Sequence, residues 1–209
     1  MDRLAARPRG RPRRFDSDEV LDRVIPVFWA RGYEGASMEE LTAASGLARP
    51  SLYAAFGDKR GLFLAALDRY AATLGRRPIE RLAAAETRDA GIRAFLAATV
   101  DLVAGDGGHP HGCLLACAAA DAAEGDADIR ERLAGAIRAI EAAVAERVAG
   151  WNDGGVQPQR QDHQERLGAL LVTLMQGMAV RARAGSSRAD LERVSGAALA
   201  LLGRPSSGA

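Results

Sequence analysis

The chain has 209 residues, 48% hydrophobic, 26% charged and 5% aromatic, with a formal net charge of +1. That composition supports a core in one domain or two small ones, and it excludes a disordered or collagen-like polymer. No apolar run reaches the roughly 18 residues of a membrane span, the basic N-terminus lacks the apolar segment of a secretory signal, and Cys113 and Cys117 are too close for a disulfide framework, so a cytoplasmic protein is expected.

In chain order, residues 1–14 come first as a basic arm. Arg3, Arg7, Arg9, Arg11, Arg13 and Arg14 stand against Asp2 alone, a balance of +5 that leaves −4 for the rest. A basic arm on a near-neutral body points to a polyanion partner. Lys59 is the sole lysine, so arginine richness is partly a coding bias and carries little by itself. Strand signals are nearly absent and helical periodicity runs throughout, which makes the fold class all-α. A first helix is expected over 17–31, with Ser17 as N-cap and Asp18 and Glu19 in the first turn. Val20, Val24, Val27 and Phe28 form its stripe, Pro26 is expected to kink it, and Gly32 to stop it. Ser37 and Glu40 form a capping box that opens a short helix to Ser45, ended by Gly46. A second short helix covers 49–56, with Pro50 in its first turn. Asp58 then caps a longer helix over 59–74. Residues 37–56 therefore read as helix, turn, helix.

Gly75 to Pro78 reads as a break. Beyond it, helices are expected near 79–86, 88–104, 113–123, 126–149, 163–184 and 188–203, with loops at 105–112 and 150–162. The domain reading is a basic arm (1–14), a helix-turn-helix unit (15–75), a larger helical unit (76–203) and a frayed tail (204–209).

Three stretches, Phe28-Trp-Ala-Arg-Gly-Tyr-Glu-Gly-Ala-Ser37, Leu41-Thr-Ala-Ala-Ser-Gly-Leu47 and Ser51-Leu-Tyr-Ala-Ala-Phe-Gly-Asp-Lys59, resemble the DNA-binding domain of the TetR/AcrR family of transcriptional repressors, over about residues 15–70. Gly112-Cys-Leu114, after a Pro-containing loop, resembles a recurrent feature of one branch of that family. The resemblance implies an all-α homodimer with an N-terminal three-helix DNA-binding domain and a C-terminal helical ligand-binding and dimerisation domain. It implies that the last two long helices, about 163–203, pair with those of a second copy. It also implies a double-stranded operator, an unidentified small-molecule effector that changes the spacing of the recognition helices, and a phosphate contact from Lys59.

The residues support this on physical grounds. A recognition helix must enter a major groove about 12 Å wide, so its exposed face must be slim or polar. Arg49, Ser51 and Ala54 lie on that face, with Pro50 and Tyr53 beside it, while Leu52 and Phe56 anchor the opposite face. Arg49 can read a guanine edge, and Ser51, Tyr53 and Ser37 suit phosphate contact. Arg9-Gly-Arg-Pro12 is an AT-hook-like element whose Arg9 and Arg11 fit a narrow minor groove. The plain alternative is a basic tail that adds nonspecific affinity.

The C-terminal part carries less information. Stripes at Ile129, Leu133, Ile137, Ile140 and Val144, at Leu167, Leu170, Leu171, Leu174 and Met178, and at Leu191, Val194, Ala198, Leu201 and Leu202 fit either a dimer interface or an intrachain core. Gly168 and Gly177 permit close helix approach. His109, His111, Cys113 and Cys117 cluster within nine residues, but their spacing is no standard zinc pattern. Cys113 at a helix start could be a thiol of lowered pKa, with Cys117 on the same face; the plain reading is two small buried cysteines. No metal and no cofactor is assigned. A P-loop, a Gly-x-Ser-x-Gly elbow and a His-Glu-x-x-His pair are all missing, so no enzyme is expected. The reading is a ligand-released repressor without a membrane partner. Two alternatives stay open: an electrophile- or redox-sensing repressor acting through Cys113, and an all-α small-molecule-binding protein that no longer binds DNA specifically.

Overall fold

The computed structural model describes residues 15–105, 110–151 and 158–202, the first four residues of the last stretch by their backbone alone. The basic arm with Arg9 and Arg11, the loop residue His109 and the tail 204–209 lie outside the described residues. Within them the fold is all-helical, with no strand.

The N-terminal unit is built from α1 (Ser17–Gly35), α2 (Met38–Ser45), α3 (Arg49–Phe56) and α4 (Lys59–Ala72). Asp16, rather than the expected Ser17, caps α1: its carboxylate accepts the Asp18 amide at 2.9 Å. A charged acceptor at the positive end of the helix outcompetes a hydroxyl. Pro26 does not break α1. Its ring holds φ at a helical value, so the loss is confined to one backbone hydrogen bond. The non-helical residue inside α1 is Gly32 (φ 74°, ψ 177°), and the chain resumes helical geometry to Gly35. Val20, Leu21, Val24, Ile25, Phe28 and Trp29 are buried, whereas Val27 is only half-buried. Phe28 meets Phe63 edge-on at 4.9 Å and Trp29 meets Tyr70 edge-on at 5.1 Å, joining α1 to α4. Leu41 of α2 and Leu52 of α3 close this core.

A 3-10 turn at Leu74–Arg76 leads into α5 (Arg77–Ala83), so the expected break is itself helical, and α5 lies slightly earlier than expected. The C-terminal unit continues with α6 (Arg88–Val103), a π-helical turn (Leu114–Ala119) running into α7 (Ala120–Ala122), α8 (Ala127–Ala149), α9 (Pro158–Arg183) and α10 (Arg188–Leu202). The helix expected from residue 163 starts at Pro158. Proline suits a first helical turn, and the polar run after it lacks the apolar rhythm that marks a helix in sequence. Helix α9 packs along α8, and α10 on α6 and α9. A Cβ on Gly168 would lie 3.0 Å from the Glu141 carbonyl oxygen and 3.3 Å from the Ala145 Cβ. Gly168 therefore serves the close approach of α8 and α9 within one chain, whereas Gly177 faces open space. The π-helical turn packs against α1, α4 and α9, which seats it at the junction of the two units.

Candidate nucleic-acid interface

Helix α2 ends at Gly46, in the left-handed region at φ 72°, and the three-residue turn 46–48 delivers the chain into α3. The turn is fixed from inside. Buried Ser45 donates its hydroxyl to the Thr42 carbonyl at 3.1 Å and accepts the Leu47 amide at 3.2 Å. Leu52 is fully buried and Phe56 is half-buried against the core, while Ala48, Arg49, Pro50, Ser51, Ala54 and Ala55 are exposed. The expected division of α3 into an anchored and an open face is present.

Arg49 lies in the first turn of α3, which holds no acidic residue. Its Nε and Nη2 donate to Tyr53 Oη at 3.0 and 2.8 Å, and its guanidinium lies 5.2 Å from the Tyr53 ring centroid. Tyr53 is half-buried. Past the Gly57-Asp58 turn, the Asp58 carboxylate caps α4 by accepting the Gly61 amide at 2.7 Å. Lys59, first residue of α4, donates to the Glu34 carbonyl at 3.1 Å and sits 4.9 Å from the Tyr33 ring centroid. Its ammonium is thus held against the exit of α1.

Ser37 is committed inside its own capping box. Its hydroxyl accepts the Glu40 amide at 3.1 Å and donates to Glu40 Oε2 at 3.0 Å, and its amide donates to the same oxygen at 3.0 Å. These bonds hold the Glu40 carboxyl below its ordinary range, and Arg31 adds a 3.2 Å ion pair. Glu39 and Glu40 stand in the first turn of this helix.

The cysteine cluster resolves into unlike groups. Cys113 is buried and accepts a hydrogen bond from Tyr70 Oη at 3.2 Å. Burial pushes its thiol above the ordinary value. The bonds from Tyr70 and from the amides of Ala116 and Leu115 oppose this but do not prevail. Of the two readings of Cys113, burial agrees with the plain one, and desolvation opposes the lowering that a helix start would give. Cys117 is half-buried, with Sγ 3.9 Å from the Ala179 carbonyl oxygen, and His111 is exposed. Among the described residues no three His, Cys, Asp or Glu side chains converge on a metal position.

Sequence reasoning misses the contacts that fasten the two units. Arg60, next to Lys59, forks onto Asp126 through Nε (2.5 Å) and Nη2 (3.0 Å) and also pairs with Asp128, at the start of α8. Arg132 of α8 pairs with Asp68 of α4 at 2.7 Å. Arg183, in the last turn of α9, donates to the Trp29 and Ala30 carbonyls of α1 at 2.8 and 3.2 Å. The one legible hint is Asp126 as an N-cap before a periodic helix; its partner lies 66 residues away. Between α4 and α8 lies an open groove of about 730 Å³, lined by Leu64, Asp68, Ala71, Arg132, Gly135 and Ala136 among others. Among the described residues no helix is long and apolar enough to cross a membrane.

Residues 21–66 match the family model "Bacterial regulatory proteins, tetR family", and residues 90–197 match "Transcriptional regulator LmrA/YxaF-like, C-terminal domain". The chain is 32% identical over 198 residues to the HTH-type transcriptional repressor ComR of Escherichia coli (strain K12), covering 92% of this chain and 91% of ComR. A solved structure of the TetR family regulator CifR, a C99T-C181R cysteine mutant complexed with 26-bp operator DNA, is 34% identical. It superposes with a TM-score of 0.76 over 91% of this chain and 98% of that chain. A TetR regulator from Chloroflexus aurantiacus shares the fold at 24% identity and a TM-score of 0.75, over 90% of this chain and 94% of that one. The helix-turn-helix at residues 38–56, its seating on α1 and α4, and the matched helical domain behind it make this chain a member of the TetR family of bacterial regulatory proteins.

Proposed function

We propose that the chain is a dimeric transcriptional repressor that binds a palindromic operator through α3 of each copy and is released by a small-molecule effector held among the C-terminal helices. The observation that carries this reading is the outer face of α3. Arg49, Pro50, Ser51 and Ala54 are exposed there, backed by buried Leu52 and followed by Lys59. Such a face is slim enough for a major groove and offers one long cation to a base edge. Tyr53, Ser51 and Lys59 contact phosphates and set the register, with Ser37 a weaker contributor, and Arg9 and Arg11 follow the adjacent minor groove. ComR is named a repressor and CifR was solved on operator DNA, which supports the same role here.

Dimerisation is supported by where apolar surface remains. Among the described residues the exposed large hydrophobics are Leu170 and Val180 of α9 and Leu201 of α10, the last 73% exposed. A second copy covering α9 and α10 would bury all three. An effector held among the C-terminal helices would act on the DNA-binding unit through the contacts of α8 and α9 with α4 and α1, favouring one setting of that unit over another. Burial of Cys113 does not favour the thiol-reactive alternative.

The test is fluorescence anisotropy of the purified protein on its own upstream intergenic DNA and on a scrambled duplex, across a salt series. Selective binding that weakens with salt is expected, and Arg49→Ala should lower operator affinity about tenfold or more with the dimer intact. Equal weak binding to both duplexes, followed by failure to select any sequence from a random duplex pool, would overturn the reading.

A further inference from the structure

We propose that the Tyr53 hydroxyl is a specificity-determining group: it holds the Arg49 guanidinium with one fork directed outward, so that selection of guanine depends on a side chain that touches no base. The inference rests on the reading of α3 as the recognition helix. A guanidinium carries five N–H donors arranged as two forks. Tyr53 Oη accepts from Nε and Nη2 together, which occupies the inner fork. The outer one, Nη1 with the second hydrogen of Nη2, stays whole, and that is the pair needed for a bidentate bond to guanine O6 and N7. The other ways of holding an arginine are absent at this place. No carboxylate stands in the first turn of α3, Ala48 provides no side-chain cap, and Arg49 makes no ion pair among the described residues. The holding group is a phenol rather than a carboxylate, so no anion on this helix competes with the nucleic acid for the guanidinium.

Tyr53 is half-buried, its ring centroid 5.2 Å from the guanidinium, and the i to i+4 spacing on a short helix sets the pair in register. Because Tyr53 Oη accepts both hydrogen bonds from Arg49, its own proton is free to go to a phosphate oxygen. A base contact and a backbone contact are then joined through one oxygen atom. Arginine is among the side chains with most rotamer freedom to lose on binding, and this arrangement restricts it before DNA arrives.

The test uses the full-length protein, the duplex recovered from a random-sequence pool, and the same duplex with each G·C pair of the half-site exchanged in turn. Arg49→Ala identifies the guanine in question as the position where the affinity ratio between the two duplexes collapses, by about tenfold or more. Tyr53→Phe, which keeps the ring and removes the hydroxyl, is expected to lower that ratio several-fold in the presence of Arg49 and to leave it unchanged in an Arg49→Ala background. If Tyr53→Phe weakens binding to every duplex by the same factor, the hydroxyl is a phosphate contact only and the proposal falls while the recognition helix stands. If Arg49→Ala changes the ratio at no position, or the pool yields no preferred sequence, the reading of α3 falls and takes the proposal with it.

Discussion

One missing methyl group sets the place of Trp151. A Cβ on Gly91 would lie 2.1 Å from the indole ring, so the start of α6 accepts no side chain there unless the ring moves. Arg147 lies over the ring, its guanidinium 4.2 Å from the ring centroid, and donates to the Ala83 and Ala85 carbonyls at 3.1 and 2.6 Å. Among the described residues the Trp151 Nε1 is buried without a hydrogen-bond partner, so the indole is retained for its packing rather than its polarity. Gly91→Ala is expected to destabilise the protein by about 1–3 kcal/mol through overpacking. The measurement is a urea melt followed by tryptophan fluorescence. A lowered midpoint at unchanged slope is the expected outcome, and an unmoved midpoint would mean that the indole relocates freely. None of this is legible in the sequence, where Gly91 is one glycine in a helix and Trp151 one aromatic beside a loop. Arg49 and Tyr53 lie at the opposite extreme. Their spacing brings them together on any helix, and only the choice of guanidinium fork needed three dimensions.

At the scale of single elements, local chemistry decides what can be read. The bounds of α2 and α3 follow from a serine with a glutamate three residues on, a left-handed glycine and a first-turn proline, each acting within four residues of itself. The N-terminus of α9 escapes because its first residues carry no apolar stripe, and the π-helical turn at Leu114–Ala119 escapes because Ala-rich segments lack a phase to follow. The buried face of α1 is also wider than its sequence stripe, since Leu21, Ile25 and Trp29 turn inward as well. The capping box of α2 offers a direct check on this local logic. Ser37→Ala removes the acceptor of the Glu40 amide and is expected to cost about 1 kcal/mol of stability. Ser37→Asn, which can still accept from Glu40, should recover most of it. Equal losses in the two variants, compared by chemical denaturation, would show that something other than the cap sets the loss.

The molecule as a whole is joined by arginines that cross between its units, and their partners separate them by pH. Arg60, Arg132 and Arg183 each bind the neighbouring unit, so α8 and α9 share in setting the orientation of α3. The Asp126 carboxyl is held down to about 2 from an ordinary 3.8, first by the side-chain bond from Arg60 and then by the Ile129 and Asp128 amides. A lowered folded pKa means that the charged form is favoured by folding, so the contribution is complete above the ordinary value. It is lost as pH falls from about 4 toward about 2, because the unfolded chain takes up its proton first. Asp126→Asn keeps a side-chain cap acceptor and leaves Asp128 for Arg60, which isolates the Asp126 charge. The melting temperature of the wild type should exceed that of Asp126→Asn by a constant margin from about pH 7 to pH 5, and the margin should close as pH drops through that lower window. A margin that stays constant to about pH 2 would assign the difference to packing at the start of α8. A margin that closes already near pH 6 would point to a different titrating group. Salt supplies an independent reading, since a forked guanidinium–carboxylate pair that is partly buried is screened less than an open surface pair. The margin at neutral pH should therefore outlast the salt that abolishes the exposed Arg166–Asp162 pair.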